Sequence, residues 1–139
     1  MKKLAEEWSK YAYKDLLTIE KILEDENLTN ITAFHAQQCI EKSFKALILL
    51  ETKEIPKIHN LLKLYGTVRN YRKLTFEMKT LELINETYTD TRYPSELGLL
   101  PDGIPSLEMA KKFYETAKTI YDQIKIEGTE DIQKKITNA

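Results

Sequence analysis

Between His35 and Leu47 the chain carries amide, carboxylate and ammonium groups spaced so that they can act on one another. Gln37, Glu41 and Lys45 stand four apart, and Gln38 and Lys42 form a second row beside them. Residues at that spacing are neighbours on a helix surface, so the rows read as a hydrogen-bonded ladder. Two readings stay open. The ladder is a polar strip in a cleft or subunit interface, able to meet a charged ligand, or it is a solvated helix face with ordinary ion pairs. Spacing alone favours the second, because exposed pairs of this kind are common and weak. A second candidate is Arg92-Tyr93-Pro94, where a guanidinium beside a phenol, held by proline, offers charge and a stacking surface for a nucleotide. The competing reading is favoured there too: Arg92 pairs with Glu41 or another carboxylate while Tyr93 packs under a loop. His59, three residues after Pro56, either caps or bridges elements or contacts a ligand phosphate or partner, and the structural role is again preferred.

Other chemistries find little support. His35 lies one position off an apolar stripe, and no second histidine stands at metal-ligand spacing. Aspartate and glutamate are plentiful but form no local cluster that suggests a metal cage. The four glycines are scattered, so no phosphate-cradling loop is present, and no Ser-His-Asp or Cys-His order suggests nucleophilic catalysis. Cys39 is the only cysteine, which excludes an intrachain disulfide and a cysteine-rich zinc site; a buried, inert thiol is expected. With 21 basic against 22 acidic residues, the net charge of −1 creates no field that favours nucleic acid or a membrane. Only Arg69, Arg72 and Arg92 supply guanidinium groups, which argues against sequence-specific nucleic-acid recognition. The longest apolar run, Ala46 to Leu50, is far too short to span a bilayer, and no signal peptide is recognisable, so a soluble, cytoplasmic protein is expected.

The elements that must position these groups are helices. Helical periodicity dominates, and no alternating strand pattern is convincing. A first helix is expected from about Lys3 to Asp25, with Leu4, Trp8, Tyr11, Ala12, Leu16, Ile19 and Leu23 on one face. Asn30 or Thr32 would cap a second helix that runs to about Lys53 before Pro56, with Ala33, Ala36, Ile40, Phe44 and Leu47 as its apolar stripe. A short third helix begins near His59; Gly66 either ends or bends it, or helix resumes through Val68 and Arg69. A fourth runs from about Thr75 to Tyr88. The stretch Thr91 to Pro105, with three prolines and two glycines, should be a loop. Ser106 would cap the last long helix, Glu108 would lie in its first turn, and Gly128 would end it. Of the eight tyrosines, Tyr11, Tyr114 and Tyr121 are expected on apolar faces. The chain of 139 residues fits one domain over residues 1–128 followed by a loosely held polar tail, 129–139. The architecture is all-α, an antiparallel up-and-down bundle of about five helices. The wide apolar faces of the first, second and last helices exceed what one such core needs, which predicts a homodimer.

Gln37-Gln38-Cys39-Ile40-Glu41-Lys42-Ser43-Phe44-Lys45-Ala46 resembles the signature helix of the HEPN domain (higher eukaryotes and prokaryotes nucleotide-binding). Trp8…Tyr11-Ala12…Asp15-Leu16 is similar to that family's opening helix, Pro56…His59…Leu61 to its Pro-x-x-His-x-Leu turn, and Arg92-Tyr93-Pro94 to its Arg-Tyr-Pro element. The resemblance spans about residues 3 to 127. It implies a bundle like the helical domain of aminoglycoside nucleotidyltransferases, and a module often encoded beside a minimal nucleotidyltransferase. It also implies a nucleotide as ligand, with Gln37, Glu41, Lys45, His59, Arg92 and Tyr93 lining the site. On that analogy Lys45 and Arg92 neutralise phosphate, Glu41 orients the lysine, and Gln37 reads a base or ribose hydroxyl. Many members of the wider superfamily are ribonucleases, often toxins, whose arginine precedes a histidine by roughly four to six residues, pairing a fixed cation with a proton carrier. Here both histidines, His35 and His59, precede the first arginine, Arg69, so that motif is absent. The expected function is a non-catalytic module, accessory to a nucleotidyltransferase. A purely structural dimerisation module is the alternative, and an RNA-cleaving toxin comes third.

Overall fold

The computed structural model describes residues 2–92 and 104–126, with the backbone alone for 88–92. These residues form five helices and no strand: α1 (Lys2–Ile22), α2 (Thr29–Thr52), α3 (Leu61–Val68), α4 (Met78–Arg92) and α5 (Leu107–Ile124). No helix among them is long and apolar enough to cross a membrane.

α1 turns a row of small and medium side chains toward the core: Ala5, Ser9, Ala12, Leu16 and Ile19. Small residues let α1 lie close against antiparallel α2, in the most extensive helix–helix seam of the fold. That rotation overturns part of the expected face, because Leu4 and Tyr11 stand out at 45% and 52% exposed. A single 3₁₀ turn, Glu26–Leu28, joins the two helices, capped by Asp25, whose carboxylate accepts from the Asn27 N–H at 2.8 Å. The turn runs directly into α2, so Asn30 and Thr32 lie inside the helix instead of capping it. α2 ends as expected before Pro56, with Lys53 in the left-handed conformation (φ 66°) donating its N–H to the Leu49 carbonyl.

Asn60, not His59, caps α3, its side chain accepting from the N–H groups of Leu62 and Lys63 at 3.0 Å each. Of the two expectations for Gly66 the second holds, since the helix continues through it to Val68. α4 begins three residues later than expected, because the side chain of Gln123 occupies Thr75: it accepts from the Thr75 N–H and donates to its carbonyl, both at 2.8 Å. α4 then runs on through Thr91 and Arg92, so the anticipated loop starts no earlier than residue 93. The remainder of that expectation, residues 93–103, lies outside the described residues, as do Gly128 and the tail. Ser106 caps α5 as expected, accepting from the Met109 N–H at 3.1 Å, with Glu108 in the first turn. The helix stops at Ile124, short of Gly128. Ile126 then packs against α1, its N–H donating to Ser9 Oγ at 3.2 Å.

α2 is the central element and touches each of the other four helices. Its Ile40, Phe44 and Leu47 meet Leu16 and Ile19 of α1, Leu64 of α3, Leu81 and Ile84 of α4, and Phe113, Ile120 and Tyr121 of α5 in one core. Cys39 sits fully buried in the α2–α5 seam, its sulfur 4.0 Å from the Ala117 carbonyl, and burial pushes the thiol pKa well above its ordinary value. Tyr121 stacks on Tyr13 with ring centroids 5.6 Å apart, and buried Tyr114 donates to Glu20 at 2.7 Å.

Candidate functional site

The ladder on α2 is not a solvated face. Gln37, Glu41 and Lys45 are all buried, Lys45 to 4% exposure, because α1 covers one side of the row and the segment before α3 covers the other. Burial of a charge requires partners, and the geometry supplies them. Glu41 Oε1 accepts from Gln37 Nε2 at 3.0 Å, while its Oε2 accepts from Lys45 Nζ at 3.0 Å and from His59 Nδ1 at 2.9 Å. Gln37 Nε2 also reaches the His59 carbonyl at 3.4 Å, and its Oε1 accepts from Gln38 Nε2 at 2.7 Å. The Lys45 ammonium lies 5.8 Å from the centroid of the Trp8 ring, close enough for a cation–π contribution.

Burial alone would push the Glu41 carboxyl up, but hydrogen bonds from Gln37, His59 and Lys45, together with the ammonium charge, more than offset it and hold the pKa below its ordinary value. Glu41 is therefore an ionised, acceptor-only group at neutral pH. An acceptor there requires His59 to carry a proton on Nδ1, which turns Nε2 to the far side of the ring. The His59 side chain is 67% exposed, so the network has one solvent-facing end. Lys45 and Glu41 cancel each other inside, and the imidazole is the strongly exposed part of the network.

A second carboxylate repeats the arrangement on the other flank of α2. Asp15 of α1 accepts from Lys42 Nζ on one oxygen and holds His35 Nδ1 on the other, both at 2.8 Å. His35 is the boundary residue its position implied, and Phe34 meets its ring edge-on at 5.2 Å between centroids. Asp15 went unread as a site residue, although one signal was available: it occupies α1's buried row, three residues after Ala12, where a carboxylate needs a cationic partner. Trp8, expected on the apolar face of α1, also lies against the Lys45 ammonium. Gln37, Glu41, Lys45 and His59 are thus brought together, whereas the Arg92 side chain and all of Tyr93 lie outside the described residues. Among those residues no group of three or more His, Cys, Asp or Glu side chains is placed to hold a metal ion.

The arrangement holds and steers imidazoles; each buried carboxylate fixes one ring and neutralises one lysine. A family model described as "HEPN domain" matches residues 5–127. No curated protein and no solved structure matches the chain.

Proposed function

The chain belongs to the HEPN domain family, and from that premise we propose that it is a non-catalytic module, accessory to a minimal nucleotidyltransferase, that meets its partner or the partner's nucleotide around His59. Family membership gives the coarser class, a nucleotide-related or ribonuclease-like module. One observation carries the finer reading: a closed, charge-balanced network whose only strongly exposed member is an oriented imidazole. Its lysine is consumed by Glu41 and shielded by Trp8, so phosphate would be met by His59 and not by Lys45. Ile58 and Leu62 flank His59 as exposed apolar side chains, which suits a protein partner better than open solvent. The order of histidines before arginines in the sequence supports a module without the superfamily's ribonuclease chemistry.

Capture of tagged protein from its native lysate tests this, with mass spectrometry and an absorbance spectrum of the eluate. A nucleotidyltransferase should co-purify with the natural chain and fall at least about tenfold with His59→Ala, the loss expected when a central interface contact is removed. Equal recovery by both, or recovery of no such enzyme, would overturn the reading.

A second reading, homodimerisation, is favoured by a separate observation: Ile31 and Phe34, three apart on α2, stand 39% and 40% exposed. Sedimentation equilibrium at micromolar protein should show a dimer that Phe34→Glu dissociates, and a monomer throughout would sink it.

A further inference from the structure

The 22 residues from Ile55 to Phe76 contain five basic side chains and not one aspartate or glutamate. The other 117 residues carry 16 basic against 22 acidic side chains, so the net charge of −1 conceals a segregated distribution. Leu61, Leu64 and Val68 of α3 turn into the core, which leaves Leu62, Lys63 and Gly66 outward. Lys57 and His59 before the helix are exposed, as are Arg69, Tyr71 and Lys73 after it. Lys57, Lys63, Arg69 and Lys73 have no ion-pair partner among the described residues. Glu77, the first acid after the run, is engaged by Lys112 at 3.5 Å and by the Thr80 hydroxyl at 2.8 Å. Positive charge left unanswered on one face attracts a negative partner and steers its approach.

We propose that this face docks an acidic protein segment that carries apolar side chains among its carboxylates. Lys63, Arg69 and Lys73 answer the carboxylates, and Ile58, Leu62 and Tyr71 seat the apolar side chains. The proposal rests on the reading above in placing the partner at the His59 face, and it adds what that partner must present there. Two features select a protein over a phosphate backbone. The Arg72 guanidinium is committed to the Gln123 carbonyl at 2.7 Å, which leaves Arg69 as the segment's one uncommitted fork. Lysines act as point charges and do not grip phosphate bidentately. Ile58, Leu62 and Tyr71 stand exposed among the cations, and apolar surface interleaved with charge is the composition of a protein interface.

A dye-labelled synthetic peptide of glutamates, with leucines at helical spacing, is titrated with the full chain and read by fluorescence anisotropy. Binding is expected with a Kd on the order of 10 μM. Salt raised from about 0.1 to 1 M should abolish most of it, because the screening length falls from about 10 to 3 Å. Lys63→Glu with Arg69→Glu should weaken binding about tenfold or more, as like charges then face each other. Lys3→Glu with Lys21→Glu makes the same change in net charge at exposed sites elsewhere and should leave the affinity within about twofold. No binding at about 100 μM protein would overturn the proposal. Equal binding by a peptide with glutamine in place of glutamate would overturn it too, as would tighter binding of an oligouridylate of the same charge. No nucleotidyltransferase enters the titration, so its failure is distinct from a failure of the lysate capture.

Discussion

Lys45 and Glu41 are buried as an ion pair, and that mutual dependence sets the cost of changing either one. Glu41→Gln leaves a buried ammonium without a counter-charge and should destabilise the fold by about 3–5 kcal/mol, as read from urea denaturation. Replacing both partners with methionine should cost far less, since a matched apolar pair carries no desolvation penalty. The same carboxylate gives a pH signature. Its folded pKa is held below the ordinary 4.5, so folding favours the ionised form. That contribution is complete above the unfolded pKa and is lost as pH falls below about 4.5 through the depressed folded value. Thermal scans from neutral pH into acid should show Tm falling in that window, with a shallower slope in Glu41→Gln. The four-residue spacing of Gln37, Glu41 and Lys45 announced the ladder. It could not announce burial, because His59 and Trp8 arrive from other elements, and no local pattern states which helix will cover a polar row.

Helix boundaries were legible where the signal is local. Ser106 followed by Glu108 marks the start of α5, and Pro56 marks the end of α2. Ser106→Ala should cost about 1 kcal/mol, the usual value of a lost N-cap, measured as a shift in the denaturation midpoint. Where a distant side chain decides, the sequence is silent. Thr75 looks helical, yet Gln123, 48 residues on, takes both of its backbone groups and delays α4. The face of α1 was misjudged for a related reason, since Ala5 and Ser9 outrank Leu4 and Tyr11 when two helices approach closely. Gly66 offers the opposite test. It lies exposed inside α3, and a Cβ added there would meet nothing within 4 Å. Gly66→Ala should therefore raise stability by about 0.5–1 kcal/mol through helix propensity alone.

Across the whole molecule α2 is both the hub of the core and the carrier of both imidazole-steering carboxylate networks. The all-helical class and the family were readable from periodicity and four ordered motifs. The rotation of each helix was not, because it is settled by packing among all five. A chain organised around one helix should also come apart around it, and Cys39 makes that event chemically visible. Its sulfur lies in the α2–α5 seam with no path to solvent and a raised pKa, so a thiol-reactive reagent has nothing to attack while the two helices stay together. Native-state alkylation should therefore proceed only through opening, at a rate that, when reclosing is fast, tracks the same free energy as global unfolding. Alkylation much faster than that would mean that α5 peels away by itself. The single thiol is a clock: each modified molecule marks one parting of α2 from α5.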